Sequence, residues 1–475
     1  MTANKNDPLL QAFMKSKNPE KTIFNQSKQI ICLHSKKISI HKRKKKKLNI
    51  LLAGYVGAGN IGSDIRTYEM IRQIHHIFIK DTIHISLMVI AKKFVPDFFN
   101  DVNIIHPNYI PTFLNSAIVK QDGIITCEGS LFKSNFSSIL SLNMLTALGL
   151  ASAKKKISIA YGAESGKMDT RIQQFAKKYC HSSLVICRNQ ASQDQLSKLG
   201  MRTTLGSDPA WSFTPSSHFD ADAFLKIAGW GNKKKIISIC PINPFWWPVR
   251  PDPARASKII DHLDEQYHGS IFFHNQSEAI TQKYQCYLHS LAKAINVLRN
   301  EQHYFPIIIG MERIDKPACE QLALLLGNSI PTYISGNMHC DLAVHLLRLS
   351  HVVLSSRFHA LLLAIPGGAI PLGISIDERI TNLLTDLGHP ELIFQADDLH
   401  LTEKILFQLQ QVDSALMRNK ARLFVKKHLK LIGEMGIALA DEIRRFHPEM
   451  KTDELPRCWQ SYLPSLSPNL TRVIA

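Results

Sequence analysis

The sequence predicts an α/β protein of two doubly wound, nucleotide-binding-like halves that face a cleft, with a helical C-terminal extension. Three observations predict it. Short apolar runs alternate with helix-like segments, the pattern occurs in two series separated by a loop rich in Ser, Pro and Gly, and it turns helical beyond Asp398. At 475 residues the chain is also too long for one ordinary core.

The first series opens abruptly after Lys47. Residues 48–54 form an apolar run of the kind that makes a buried parallel strand, followed by a glycine loop at 57–62 and a helical stretch over 63–76. Further strands are predicted at 83–90, 123–127, 156–160 and 184–187. The second series comprises 235–240, a weak strand at 271–273, and strands at 305–309, 332–334, 351–354 and 369–373. A linker falls within 214–232. Helices are predicted over 404–412, 414–431 and 433–446, ahead of an irregular, proline-bearing end. The expected division is a basic, disordered tail over 1–47, an N-terminal domain over 48–215, a C-terminal domain over 233–398 and a helical extension with an irregular tail over 399–475.

Composition excludes several classes. Apolar residues make up 45% and charged residues 20%, as in globular proteins. The most apolar stretch, 359–376, is interrupted by Pro366, Gly367, Gly368 and Pro371, so it reads as helix, turn and strand and not as a membrane span. Nine scattered cysteines without CxxC spacing argue for a reducing compartment and against structural zinc. No HxxxH or HExxH spacing offers a metal site, although a carboxylate site for Mg²⁺ would leave little trace in a sequence. No metal and no cofactor are therefore expected.

The net charge of +18 is uneven. Residues 1–47 hold thirteen Lys and Arg against Asp7 and Glu20, a net +11. The block from Lys42 to Lys47 repels itself and reads either as a solvated arm or as a contact for an anionic membrane through residues 36–47. Residues 1–25 carry no signal-peptide pattern, so the expected location is the cytoplasm, with peripheral attachment to the inner face of the membrane as the functional reading of the basic block. No recognition module points to a specific nucleic acid.

Gly57-Ala58-Gly59-Asn60-Ile61-Gly62 satisfies GxGxxG between a strand and a helix, where glycines allow close approach of a ligand. A dinucleotide would also need an acidic residue at the end of the second strand. That strand ends in Lys92-Lys93, which disfavours NAD. The loop alone reads either as a ligand cradle or as a turn for strand–helix packing.

Other segments follow in order: Ser63-Asp64; the strand end Thr126-Cys127-Glu128-Gly129-Ser130; Tyr161-Gly162-Ala163-Glu164-Ser165-Gly166; Arg188-Asn189-Gln190; Ser207-Asp208-Pro209-Ala210; Ser355-Ser356-Arg357-Phe358-His359-Ala360-Leu361; and Pro371-Leu372-Gly373. In this order they resemble the polysaccharide pyruvyl transferase family over about residues 50–390. The resemblance implies a GT-B-like pair of Rossmann-like domains. It also implies transfer of a pyruvyl group from phosphoenolpyruvate to saccharide hydroxyls, forming a ketal on a surface polysaccharide or a lipid-linked glycan acceptor. The family's Arg-Leu-His element maps onto Arg357-Phe358-His359. An Arg can fork onto the donor's phosphate or carboxylate, and a His can donate the proton that makes the carbon electrophilic.

The chain departs from the family where members carry Ser-Leu-Arg on the first strand of the second half and this sequence has Ser238-Ile239-Cys240-Pro241. Arg250 and Arg188 are the candidate replacements for the missing cation. Glu128, Asp208 and Asp64 are candidates to activate the acceptor hydroxyl, with Asp208 equally readable as a turn residue before Pro209. Trp246 and Trp247, in a proline-flanked loop, read either as sugar-stacking rings or as packing residues, with Trp246 taken as the substrate contact. The expected site is thus His359, Arg357, Glu128 and Asp208 for catalysis, with Gly57, Gly59, Asn60, Gly62, Asp64, Arg188, Arg250 and Trp246 holding substrate. The competing readings are a GT-B glycosyltransferase using a nucleotide sugar, because fold does not fix the donor, and a non-catalytic family member.

Overall fold

The computed structural model describes residues 7–36, 47–79, 82–217, 220–231, 234–259, 271–327, 330–336, 339–450 and 455–474. Its first sheet has seven strands: β1 (Leu48–Val56), β2 (Ile83–Val89), β3 (Asn103–Ile105), β4 (Gly123–Thr126), β5 (Ile157–Ala163), β6 (Leu184–Cys187) and β7 (Arg202–Leu205). They run parallel in the order β3-β2-β1-β4-β5-β6-β7. Every residue of β4, β5 and β6 is buried, which is why these strands read as unbroken apolar runs.

In the second half β8 is Lys235–Cys240, and β9 (Arg250–Pro251) and β10 (Phe272–Phe273) make a small antiparallel ribbon. Then come β11 (Tyr304–Gly310), β12 (Thr332–Ile334), β13 (Val352–Ser355), β14 (Ile370–Ser375) and β15 (Ile393–Gln395). The six-stranded sheet is parallel in the order β12-β11-β8-β13-β14-β15. Both sheets are doubly wound, as the sequence predicts. The chain reverses direction of winding between β1 and β4 and between β8 and β13. Crevices for ligands open at such switch points, beyond the carboxyl ends of the strands.

Four readings need correction. The strand expected at 271–273 belongs to the ribbon and not to the main sheet. The two helices expected over 414–446 are one helix, Ser414–Phe446, because Gly433 continues it without a break. That helix returns to the first half, where Arg202 pairs with Glu442 and Gln73 donates to the Ile432 carbonyl at 2.8 Å. The end of the chain is not wholly irregular, since Pro468–Ile474 is helical.

The fourth correction concerns the tail. Residues expected to be disordered form the helices Pro8–Met14 and Pro19–Lys36. Asp7 caps the first by accepting from the Leu9 and Leu10 amides. Leu10, Phe13, Ile23, Ile30 and Ile31 are buried, and Gln26 ties the two helices by donating to the Leu9 carbonyl at 2.8 Å. Charge masked an apolar face at helical spacing. The partner is the helix Ser138–Ala153, which is apolar all round and therefore needs cover on the side away from the sheet. Of the basic block Lys42–Lys47 and the membrane reading over 36–47, all but Lys36 and Lys47 lie outside the described residues. Among the described residues no helix is long and apolar enough to cross a membrane.

Candidate functional site

A cavity of about 280 Å³ lies where the two switch points meet. The ends of strands supply its polar wall: Tyr55 from β1, Glu128 after β4, Arg188 after β6, Glu312 after β11, Arg357 and His359 after β13, and Arg379 after β14. Apolar side chains from the N-terminal helices and from the helix Ser138–Ala153 also line it, among them Phe13, Ile23 and Leu140, with Ser141 and Asn143 of that helix beside them.

Arg357 is the N-cap residue of the helix Phe358–Ala364 and is already engaged. Its Nε lies 3.1 and 3.0 Å from the two Asp315 oxygens, a terminal nitrogen also bonds Asp315, and the other lies 2.9 Å from Glu312. Burial disfavours its charge, but the two carboxylates hold its pKa above the ordinary value. The expectation that Arg357 forks onto a donor anion is corrected: its fork is filled from within the chain. Glu312 and Asp315 were missed. The available signal was two acids directly beyond the apolar run at 305–309, where a strand delivers its side chains to the cleft.

Asp208 sits in a cluster of cations. Arg188 donates to it at 2.9 Å, Arg66 Nε stands 3.7 Å away, and His359 Nε2 is 3.5 Å away. Burial pushes the carboxyl up, yet Arg66, His359 and Arg188 hold it well below the usual carboxylate range. It also accepts the Ala210 amide, the turn role considered in the sequence, and it is absent from the cavity wall. A carboxylate so fully paired is a poor general base. His359 is pushed below its ordinary pKa by burial, with Arg188 and Arg66 adding to that and Asp208 opposing it. An imidazole shifted towards its neutral form suits accepting a proton or a hydrogen bond. Arg188 lines the cavity, but Glu164 and Asp208 occupy it and its guanidinium stacks 4.4 Å from the Phe358 ring.

The glycine loop is a clamp between the halves. Gly57 and Gly59 have φ of +74° and +69°, conformations that L side chains rarely adopt. The Ile61 amide donates to the Met311 carbonyl at 3.0 Å, and Ser335 Oγ donates to the Gly59 carbonyl at 2.8 Å. Asn60 caps the helix Ile61–Ile77 and donates to Glu312 at 2.8 Å. At Gly62 an added Cβ would collide with the His359 ring, so this glycine lets the second half close on the first. Gly57, Gly59, Gly62 and Asp64 are off the cavity wall, and of this group only Asn60 faces it. Asp64 is buried, accepts the Gly57 amide and has its pKa raised well above the ordinary value by burial. Gly57, Gly59, Gly62 and Asp64 thus hold the loop's shape away from the cavity, while Asn60 keeps a place on its wall.

Glu128 is the carboxylate left available. One oxygen accepts the Ser130 amide at 2.9 Å, and Oε2 is buried with no hydrogen-bond partner among the described residues. Buried polar atoms are seldom left so, and this one lies on the cavity wall. Arg379 bonds Asp377 through Nε at 3.0 and 2.8 Å, and its terminal nitrogens carry no bond to described residues. Lys133 crosses from the first half to Asp377 at 3.1 Å, its pKa lowered by burial. Arg250 is exposed and off the wall. Trp246 is off the wall too and stacks on His274 at 4.0 Å; its neighbours Trp247 and His274 line the cavity in its place. Trp247 was weighed with Trp246 as a stacking ring, whereas Lys133, Arg379 and His274 were not singled out as site residues. Only the strand-end position of Arg379, after β14, could have pointed to one of them. No group of three or more His, Cys, Asp or Glu among the described residues could hold a metal.

No family model matches the chain, and no curated protein matches it. Among solved structures the chain is similar to S. aureus MnaA, solved with UDP, at 9% identity over 79% of this chain and 91% of that one, with a TM-score of 0.52. It is similar also to a UDP-N-acetylglucosamine 2-epimerase, at 10% identity over 84% of this chain and 97% of that one, with a TM-score of 0.50. At this identity the likeness shows the fold: two Rossmann-like domains in a GT-B-like pair. These findings correct the pyruvyl transferase resemblance. Its ordered motifs are met by no family model, the similar folds belong to proteins named for UDP and UDP-sugar chemistry, and the Arg assigned to phosphoenolpyruvate is internally paired. Phosphoenolpyruvate as partner and ketal formation on a saccharide or lipid-linked glycan fall with it.

Proposed function

We propose that this chain is a glycosyltransferase that takes a uridine-type nucleotide sugar as donor and transfers the sugar to an acceptor hydroxyl. The two halves, 48–215 and 233–398, enclose donor and acceptor in the shared cavity. The observation that carries the reading is the Glu128 carboxylate, buried, unbonded at Oε2 and set on a cavity wall at the switch points of both sheets. The fold shared with proteins named for UDP-sugar chemistry supports the donor class.

The chemistry follows from these groups. Glu128 accepts the proton of the acceptor hydroxyl as its oxygen attacks the anomeric carbon and the bond to the diphosphate breaks. Arg379, with terminal nitrogens unbonded to described residues, meets the charge that develops on the leaving diphosphate. His359, neutral, accepts a hydrogen bond from a sugar hydroxyl. At about 280 Å³ the cavity is at the lower edge of the roughly 300–1,000 Å³ usual for ligand sites, so a nucleotide sugar enters when the glycine clamp opens.

The test is product analysis with UDP-N-acetylglucosamine. Transfer requires that UDP release depend on an added acceptor hydroxyl. Isomerisation of the sugar at C2 without acceptor would replace this reading with an epimerase, and the absence of both reactions across a panel of UDP-sugars would remove it.

A further inference from the structure

The cavity wall is built from two sets of residues. The strand ends supply Glu128, Arg379 and His359. Elements that the doubly wound sheets do not need for themselves supply apolar side chains: Phe13 and Ile23 come from the two N-terminal helices, Ile110 from the start of the helix Ile110–Lys120, and Leu140 from the helix Ser138–Ala153, which also places Ser141 and Asn143 on the wall. The second half contributes Phe272 from the ribbon. A nucleotide diphosphate offers nothing apolar enough to repay this wall.

The wall also carries unbonded polar atoms. Trp247 Nε1 and His274 Nε2 are buried without a hydrogen-bond partner among the described residues, as is Glu128 Oε2, and all three residues face the cavity. Burial pushes His274 down to about 4, with Arg357 adding to it, so its ring is neutral and offers one donor and one acceptor. A hydroxylated head group would satisfy such a set, whereas a plain hydrocarbon would leave it orphaned.

We infer that the acceptor is an amphipathic hydroxyl compound whose alkyl chain lies in the arm between Phe13, Ile23, Ile110, Leu140 and Phe272, with its hydroxylated head among Glu128, Trp247 and His274. This rests on the glycosyltransferase reading for the word acceptor alone. The arm and its occupant stand on the cavity wall. The N-terminal helices are thereby part of the binding site, and closing the arm makes the enzyme selective for chain-bearing acceptors over free sugars.

The experiment is calorimetric binding of an alkyl β-D-glucopyranoside series, methyl to octyl, to the full chain without nucleotide. Below the micellar concentration, affinity should rise about fourfold per methylene until the arm is full. Leu140→Trp fills the arm and should abolish the rise with chain length in protein whose far-ultraviolet circular dichroism matches the wild type. Leu140→Ala is the second variant and should keep the rise and extend it to longer chains. Affinity independent of chain length in the wild type, or a rise that survives Leu140→Trp in folded protein, overturns the inference. A rise seen in protein that neither binds UDP nor turns over UDP-sugars upholds the arm and removes the glycosyltransferase reading, so the two failures are distinguishable.

Discussion

Arg357 shows how a residue's partners decide its part. Asp315 is fully buried and Glu312 nearly so, and the guanidinium is what makes their charges tolerable. Arg357→Met should therefore destabilise the fold by about 3–5 kcal/mol, because it strands two buried carboxylates. Urea unfolding measures this directly. Unchanged stability combined with lost ligand affinity would return Arg357 to the role of ligand anchor. Glu128 should behave in the opposite way. Glu128→Gln keeps the Ser130 amide bond available and should leave the melting temperature near the wild-type value, with turnover falling by about 10²-fold or more. Full turnover in that variant would remove the proposed base. The acid beyond β4 was legible in the sequence because it follows an apolar run. Its selection over Asp208 was not, since the Arg188 and Arg66 partners of Asp208 come from other elements of the first half.

At the scale of elements, strands were the easiest features to read and contacts between elements the hardest. Parallel strands buried on both faces announce themselves as apolar runs, so β1, β4, β5, β8 and β13 could be placed from residues alone. Short edge strands such as β3 and β7 carry half-exposed side chains and no such run. The glycine loop was visible as a motif, but its partner, the segment Met311 to Arg313, lies some 250 residues away and leaves no local mark. The clamp makes a prediction of its own. Gly62→Ala places a methyl carbon against the His359 ring and should hold the halves apart. X-ray scattering should report a larger radius of gyration with unchanged far-ultraviolet circular dichroism, together with weakened turnover. An unchanged radius and wild-type turnover would show that closure does not depend on this contact.

For the whole molecule, the N-terminal helices and the long C-terminal helix both wrap the first half, so stability belongs to the assembled chain. Removing residues 1–36 uncovers the outer face of Ser138–Ala153 and should lower the melting temperature and promote aggregation. A truncated protein that melts like the full chain would return those residues to the status of a tail. Buried histidines add a pH signature. His428, stacked on Trp211 and bonded to Ser207, is pushed by burial from its ordinary 6.5 down to about 3, with Lys427 adding to it. The unfolded chain takes up a proton there below pH 6.5 and the folded one does not, so stability is lost as pH falls from about 6.5 towards 3. The loss is roughly 1.4 kcal/mol per unit, or about 2 kcal/mol by pH 5. Unfolding free energies at pH 7 and 5 should differ by that much less in His428→Gln, and an equal pH dependence in both proteins would contradict the assignment. The central claim is that the cleft holds a nucleotide sugar with its diphosphate on Arg379. The most direct measurement is calorimetric titration of UDP into the wild type and Arg379→Ala. Saturable binding that weakens about tenfold or more on loss of the guanidinium is the predicted result. No binding of UDP or UDP-sugar to the folded wild type, or equal affinity in the two proteins, would contradict it.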